Sequence, residues 1–341
     1  MHALQLPSSN ELLDASFLES PVPTETQEKI VRHLWGSGYK PHSQHLGPYF
    51  QYYTEQCKTA SGALGNGFAI RTHQHIIDVA APIRDGCSRS EVQAFIQRCQ
   101  WVSDATLEST INASIDLTVR ILYMLDVGEF KNGYSGREKL LWTEGSVQEF
   151  VRETFSETVS IESDGMRLNG AFNLCNMVRI AGFRVKLTSN LYDHLRFDFT
   201  LNTVEIFHHA SFLMAHRQTS LFPPGLMDET LATLALIFPQ GDKDTERWYR
   251  KETRPHELDG NIIRCGKAGK HIEGYKHWHD RLYILKTEFD ESRPSTMTQW
   301  WNDRRDVSQW YPLWVAISLT ILFGLVQSIE GALQVYKAYN P

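Results

Sequence analysis

The sequence predicts a mainly α-helical body with a small β hairpin in a winged-helix-like segment, followed by one C-terminal transmembrane helix. Three observations predict it. Apolar residues recur at helical spacing through 88–123, two further helical patterns lead into extended stretches over about 139–210, and a long apolar run flanked by aromatic residues occupies 311–333, uncharged from Tyr311 to Val326. With 42% hydrophobic and 22% charged residues over 341 positions, the chain can bury a sizeable core. A net charge of -6 supplies no general field for nucleic acid. The five scattered cysteines, never in a C-x-x-C arrangement, fit a reducing compartment.

Residues 1–45 read as an irregular lead-in rich in Ser, Pro, Glu and His, with one helix around "TQEKIVRHLW". Glu11, Asp14 and Glu19 and the absence of a long apolar run exclude a signal or transit peptide there. From 46 to 299 the pattern is one α-rich region without long polar linkers. It opens on the aromatic cluster "LGPYFQYYTEQC" and the glycine-containing loop "ASGALGNGFAI", which lacks the phosphate-loop pattern. Ser88 with Glu91 three residues on predicts a capping box for "SRSEVQAFIQRCQWV", and "STINASIDLTVRILYMLDV" follows with helical periodicity. The acceptor pattern at Asn112 lies inside that helix.

Over 139–210, "GSVQEFVRETF" predicts a helix capped by Ser146, and "AFNLCNMVRIAGF" a second ending at Gly182. "RVKLTSNLYDHLRFDFTLNTVEIFHH" predicts extended strands around polar turns. Two helices and a hairpin are the order of a winged helix-turn-helix. The second helix offers Arg179, with Arg184 just after it, too thin a basic footprint for major-groove binding. A packing or protein-binding module is the better expectation. Pro223 and Pro224 then enter a helix ended by Pro239, "QGDKDTERWYRKETRPHELDGN" reads as a surface loop, and "KHIEGYKHWHDRLYILKTEFDES" is helical in its second half.

Residues 300–310 read as juxtamembrane, 311–333 as the transmembrane helix and 334–341 as a short tail. Sixteen residues from Tyr311 to Val326 carry no formal charge, and continuing to Leu333 reaches spanning length at the cost of Glu330, an intramembrane ionisable group placed toward the distal interface. Trp310, Tyr311 and Trp314 at one end and Tyr336 at the other form the interface belts, and Pro312 suits a first turn. Ala316, Thr320, Gly324, Gln327, Gly331 and Gln334 fall on one small and polar stripe, the kind of surface on which a second copy or another membrane helix packs. Arg304 and Arg305 precede the helix and Lys337 follows it, which orients the bulk of the chain toward the cytoplasm as a tail-anchored, single-pass protein.

Catalytic patterns are missing: the sequence has no G-x-S-x-G, G-x-G-x-x-G or kinase signature. In a strand through "VEIFHH", His208 and His209 would point to opposite faces and could not share an ion. The pairs His73/His75 and His277/His279 lack any H-E-x-x-H or Cys/His cluster nearby. Asp193 beside His194 and Asp280 beside Arg281 read as local ion or hydrogen-bonding groups. No catalytic residue, metal ligand or cofactor is assigned.

The runs "LTSNLYDHLRF", "VEIFHHASFL" and "FPPGLMDETLATLALIFP", with the closing residues from "QWWNDRRDVSQWYPLW" to "FGLVQSIEGALQVYKAY", resemble a family of uncharacterised membrane-associated proteins of filamentous fungi. The resemblance covers about 115–341. It implies the C-terminal helix and a fungal source, and supplies no reaction. Some relatives are similar to products of subtelomeric or accessory gene clusters, which assigns no role to any residue. The functional expectation is a membrane-anchored cytoplasmic interaction or scaffold protein whose partners are the bilayer and a second copy or another membrane protein. The alternatives are a winged-helix protein associated with transcription and an enzyme of unrecognised class.

Overall fold

A computed structural model describes residues 11–36, 46–63, 68–103, 106–128, 139–156, 161, 165–253, 258–292 and 307–339. The protein is mainly helical with one small three-stranded sheet and an apolar C-terminal helix. The N-terminal half consists of α1 (Thr24–Trp35), α2 (Gly47–Ala63), α3 (His73–Arg84), α4 (Arg89–Gln97) and α5 (Glu108–Tyr123). α5 is its axis, with eleven residues from Thr110 to Tyr123 buried and contacts to α2, α3 and α4. Burying the end of a helix strands its last carbonyls. Here Met124, left-handed at φ 51, returns its amide to the Arg120 carbonyl, while the Tyr52 and Tyr49 hydroxyls donate to the carbonyls of Arg120 and Ile121, both at 3.0 Å.

Leu13, Phe17 and Val22 are buried against this core, so the lead-in from residue 11 contributes to packing. Both expected capping boxes form, Ser88 with Glu91 on α4 and Ser146 with Glu149 on α6 (Val147–Thr154). α7 (Leu174–Arg179) starts at Asn173, whose side chain accepts from the Asn176 amide, and the chain turns away through Gly182 at φ 70.

The extended stretches that follow form β1 (Arg184–Thr188), β2 (Phe197–Asp198) and β3 (Thr203–Phe207), in the order β1-β3-β2. β2 and β3 make the expected antiparallel hairpin, but β1 pairs with β3 in parallel, Arg184 opposite Thr203 through Thr188 opposite Phe207. The eight residues between β1 and β2 cross over through a 3-10 turn at Leu191–Asp193 and do not fold back directly. α7 spans six residues and its Arg179 is paired with Asp244 at 3.2 Å. It therefore does not offer the reading helix that a winged-helix order implies.

α8 (Ala210–His216), α9 (Leu226–Ile237), α10 (Lys243–Glu252) and α11 (His279–Glu291) complete the body. α10 replaces the surface loop expected at 240–261. Asp242 caps it by accepting from the Thr245 amide, and Trp248 packs on Phe238 at 5.3 Å. Trp278 ties α9 to α11: its indole donates to Thr230 Oγ1 at 2.8 Å, and Glu229 accepts from the amides of Trp278 and Lys276. Arg281 lies over the Trp278 and Tyr192 rings and donates to the carbonyls of Tyr192 and His194. The last element is α12 (Val307–Tyr339).

The turn after α5 is the tightest point in the N-terminal half. Gly128 has φ 100, and a Cβ there would lie 2.6 Å from the Asp116 carboxylate, which is paired with Arg89 at 2.7 Å. Gly128→Ala should cost about 2–4 kcal/mol, from backbone strain and a displaced part-buried ion pair. Urea unfolding checks it against Gly170→Ala, where a Cβ meets nothing within 4 Å; equal midpoints for the two variants would show that the turn relaxes freely.

Candidate functional site: the C-terminal helix and the polar clusters of the body

α12 contains a 23-residue stretch, Trp314–Tyr336, long and apolar enough to cross a membrane, and none of its most apolar window is buried by the rest of the chain. Ten large aliphatic or aromatic side chains from Val315 to Val335 stand exposed, Phe323 at 61% and Ile321 at 60%. At about 1.5–3 kcal/mol for fully burying each such side chain, moving this surface out of water is worth about as much as the whole net stability of an ordinary domain. Two hydroxyls inside the stretch are satisfied within the helix: Thr320 donates to the Ala316 carbonyl and Ser328 to the Gly324 carbonyl, both at 2.8 Å. Such back-bonding suits a medium without water.

The helix begins at Val307, so Pro312 sits inside it and not in its first turn. The missing N–H leaves the Ser308 carbonyl without its helical donor near the end expected to face water, where the omission costs least. Ala316, Thr320, Gly324, Gln327, Gly331 and Gln334 are all exposed on α12, and a Cβ on Gly324 or Gly331 would meet nothing within 4 Å. A stripe of small residues does not by itself name a partner. Glu330 is exposed six residues before Tyr336, and Trp314 is half-buried. Trp310, Tyr311 and Lys337 belong to the helical backbone, with their side chains outside the described residues. Arg304 and Arg305 lie outside the described residues altogether.

Two of the clefts among the described residues of the body gather polar side chains around buried groups. One, of about 550 Å³, is lined by α4, α5 and the 141–143 segment. Arg89 crosses it, bonding Asp116 and Asn112 and covering the Trp142 ring at 5.4 Å. Arg120, 6% exposed, donates Nε–H to the Val127 carbonyl at 2.8 Å, and burial lowers its pKa against the opposing pull of Asp116. These contacts hold α4, α5 and the following turn together.

The second cleft, of about 360 Å³, opens at the C-terminal ends of the parallel strands β1 and β3. Ser189 lines it, and its Oγ lies 2.8 Å from Nε2 of the buried His209 behind the cleft wall, a hydroxyl beside an imidazole that burial keeps neutral. Such a pair is half of a nucleophile arrangement. Among the described residues no carboxylate bonds His209; the rings of His208, Phe207 and Tyr52 surround it. β3 ends at Phe207, so the alternation expected through His208 and His209 stops short, and the two rings lie 4.0 Å apart instead of on opposite faces.

Among the described residues, the remaining histidines do not converge. His73 Nδ1 meets the Tyr53 hydroxyl at 2.8 Å, His75 stacks on Trp101, and His277 bonds the Phe155 carbonyl. His279 bonds its neighbour Asp280. Asp193 pairs with Arg196, whereas His194 accepts from the Phe207 amide and reaches Thr233 at 2.7 Å. Among the described residues no cluster of three His, Cys, Asp or Glu could hold a metal ion. All five cysteines are unpaired. Compared with family models, curated proteins and solved structures, the chain matches none.

Buried imidazoles couple the body's stability to pH. Desolvation holds His73 down at about 4 and His194 and His216 at about 3, against an ordinary value near 6.5. Below about pH 6.5 the unfolded chain takes up protons that the folded chain refuses, so stability falls with pH until the folded values are reached. His216 Nε2 has no hydrogen-bond partner among the described residues, and its ring packs among Trp35, Phe212 and Phe222. His216→Phe should therefore lose about 1.4 kcal/mol less than the parent between pH 7.5 and 5.5, one imidazole's share. Urea midpoints of the detergent-purified chain at both pH values check this, and identical losses would mean that His216 is protonated within the fold.

Proposed function

We propose that the protein is a single-pass, membrane-anchored interaction protein, held in the bilayer by α12 with its helical body on the cytoplasmic side. The observation that carries this reading is the 23-residue apolar stretch with none of its window buried. Water is a poor solvent for that surface, and the rest of the chain does not cover it, so hydrocarbon is the environment that matches its length and composition. Among the described residues, Arg89, Asp116 and Asn112 bond one another within the body, whereas the apolar surface of α12 is left uncovered by it.

Insertion predicts resistance to alkaline carbonate. The full chain should stay in the membrane pellet, and a chain ending at Ser308 should appear in the supernatant. Release of the full chain would sink the anchor.

Orientation rests on Arg304 and Arg305 against Lys337, following the bias of cationic residues toward the cytoplasm. In cells whose plasma membrane alone is permeabilised, added protease should digest an N-terminal tag and spare one placed after Pro341. The reverse protection pattern would put the body on the other side.

A further inference from the structure

The β2–β3 hairpin turns through Phe199 and Leu201, which are 65% and 57% exposed. Phe199 rests edge-on against Phe197 at 5.2 Å, and Asn202, left-handed at φ 51, bonds the Gly182 carbonyl through its side chain, which pins the turn to the body. Part of the backbone of the turn is paired within the protein. Asp198 accepts from the amides of Thr200 and Leu201, the Thr203 hydroxyl donates to the Leu201 carbonyl, and the Arg184 amide donates to the Asn202 carbonyl, at 2.8–3.1 Å. Each group paired in this way can enter a lipid interface without being stranded, and the turn leads with two apolar side chains. Of the nearby cations, Lys186 and Arg196 share the Glu205 carboxylate, and the exposed Arg184 lies opposite Thr203 at the base of the hairpin.

Its place in the chain supplies the occupant. β2 packs against α11, and α11 ends at Glu291, fifteen residues before α12 begins at Val307. Even fully extended, that connection reaches roughly 55 Å at 3.3–3.6 Å per residue, so an inserted α12 keeps the body beside the bilayer.

We propose that the β2–β3 turn is a second membrane contact: with α12 inserted, Phe199 and Leu201 enter the headgroup–acyl boundary of the same bilayer and fix which face of the body looks toward it. The proposal rests on the anchor reading. Two side chains bind a surface weakly alone, and the tether converts this into an intramolecular contact at high effective concentration.

The test uses the full chain in phosphatidylcholine vesicles containing radiolabelled lipid, with photoreactive benzoylphenylalanine placed in separate preparations at position 199, at position 321 within α12, and at position 25 on the exposed side of α1. Lipid adducts at 199 should exceed those at 25 at least fivefold, and Leu201→Asp should cut the yield at 199 severalfold while leaving that at 321 unchanged. Background yield at 199 with strong labelling at 321 would overturn the second contact and leave the anchor standing; background at both would overturn both. Adducts from 199 to a second protein chain in place of lipid would also overturn it, and would make the turn a protein-docking site.

Discussion

The body depends on burying the C-terminal end of α5. A helix end in the core leaves carbonyls that water cannot reach, and each unsatisfied one costs about as much as a lost buried hydrogen bond. Tyr49 and Tyr52 resolve this from α2, and their hydroxyls stay protonated because burial raises both pKa values. The chain leaving α5 is then held from the other half of the body: the Leu191 amide donates to the Met124 carbonyl, and Asn190 Oδ1 accepts from the Asp126 amide. One helix terminus thus joins the N-terminal helices to the turn that crosses from β1 to β2. Phenylalanine at Tyr49 would preserve the packing and leave the Ile121 carbonyl stranded, whereas after the same change at Tyr52 the Arg120 carbonyl would keep the Met124 amide.

Local signals were legible, and non-local ones were not. Ser88 with Glu91 and Ser146 with Glu149 could be read directly because a capping box is closed within four residues. α10 escaped because "KDTERWYRKE" is almost wholly polar and its helical face rests on little more than Trp248, although Asp242 followed by Thr245 was a readable cap. The parallel pairing of β1 with β3 left no local trace, since two helices followed by strands suggests a simple hairpin and the crossover is decided by packing. His208 and His209 were placed on opposite faces by a strand alternation that ends two residues too early, at Phe207.

α12 was the most legible element because its signal is compositional and depends on no partner. Its apolar length and exposure follow from the run after Trp314, while its earlier start at Val307 moved Pro312 out of the first turn. The hairpin tip was the opposite case. Phe199 and Leu201 look like ordinary strand residues in "RFDFTLNTVEIF", and their exposure emerges only when β2 proves to be two residues long.

Glu330 carries a consequence for the anchor proposed above. The uncharged part of α12 runs from Val307 to Ile329, about 34 Å at 1.5 Å per residue. That length exceeds both the roughly 27 Å hydrocarbon layer of the endoplasmic reticulum and the roughly 32 Å of a sterol-rich plasma membrane. Under that proposal the acid can therefore stay outside the hydrocarbon of either membrane, with tilt taking up the larger excess in the thinner one.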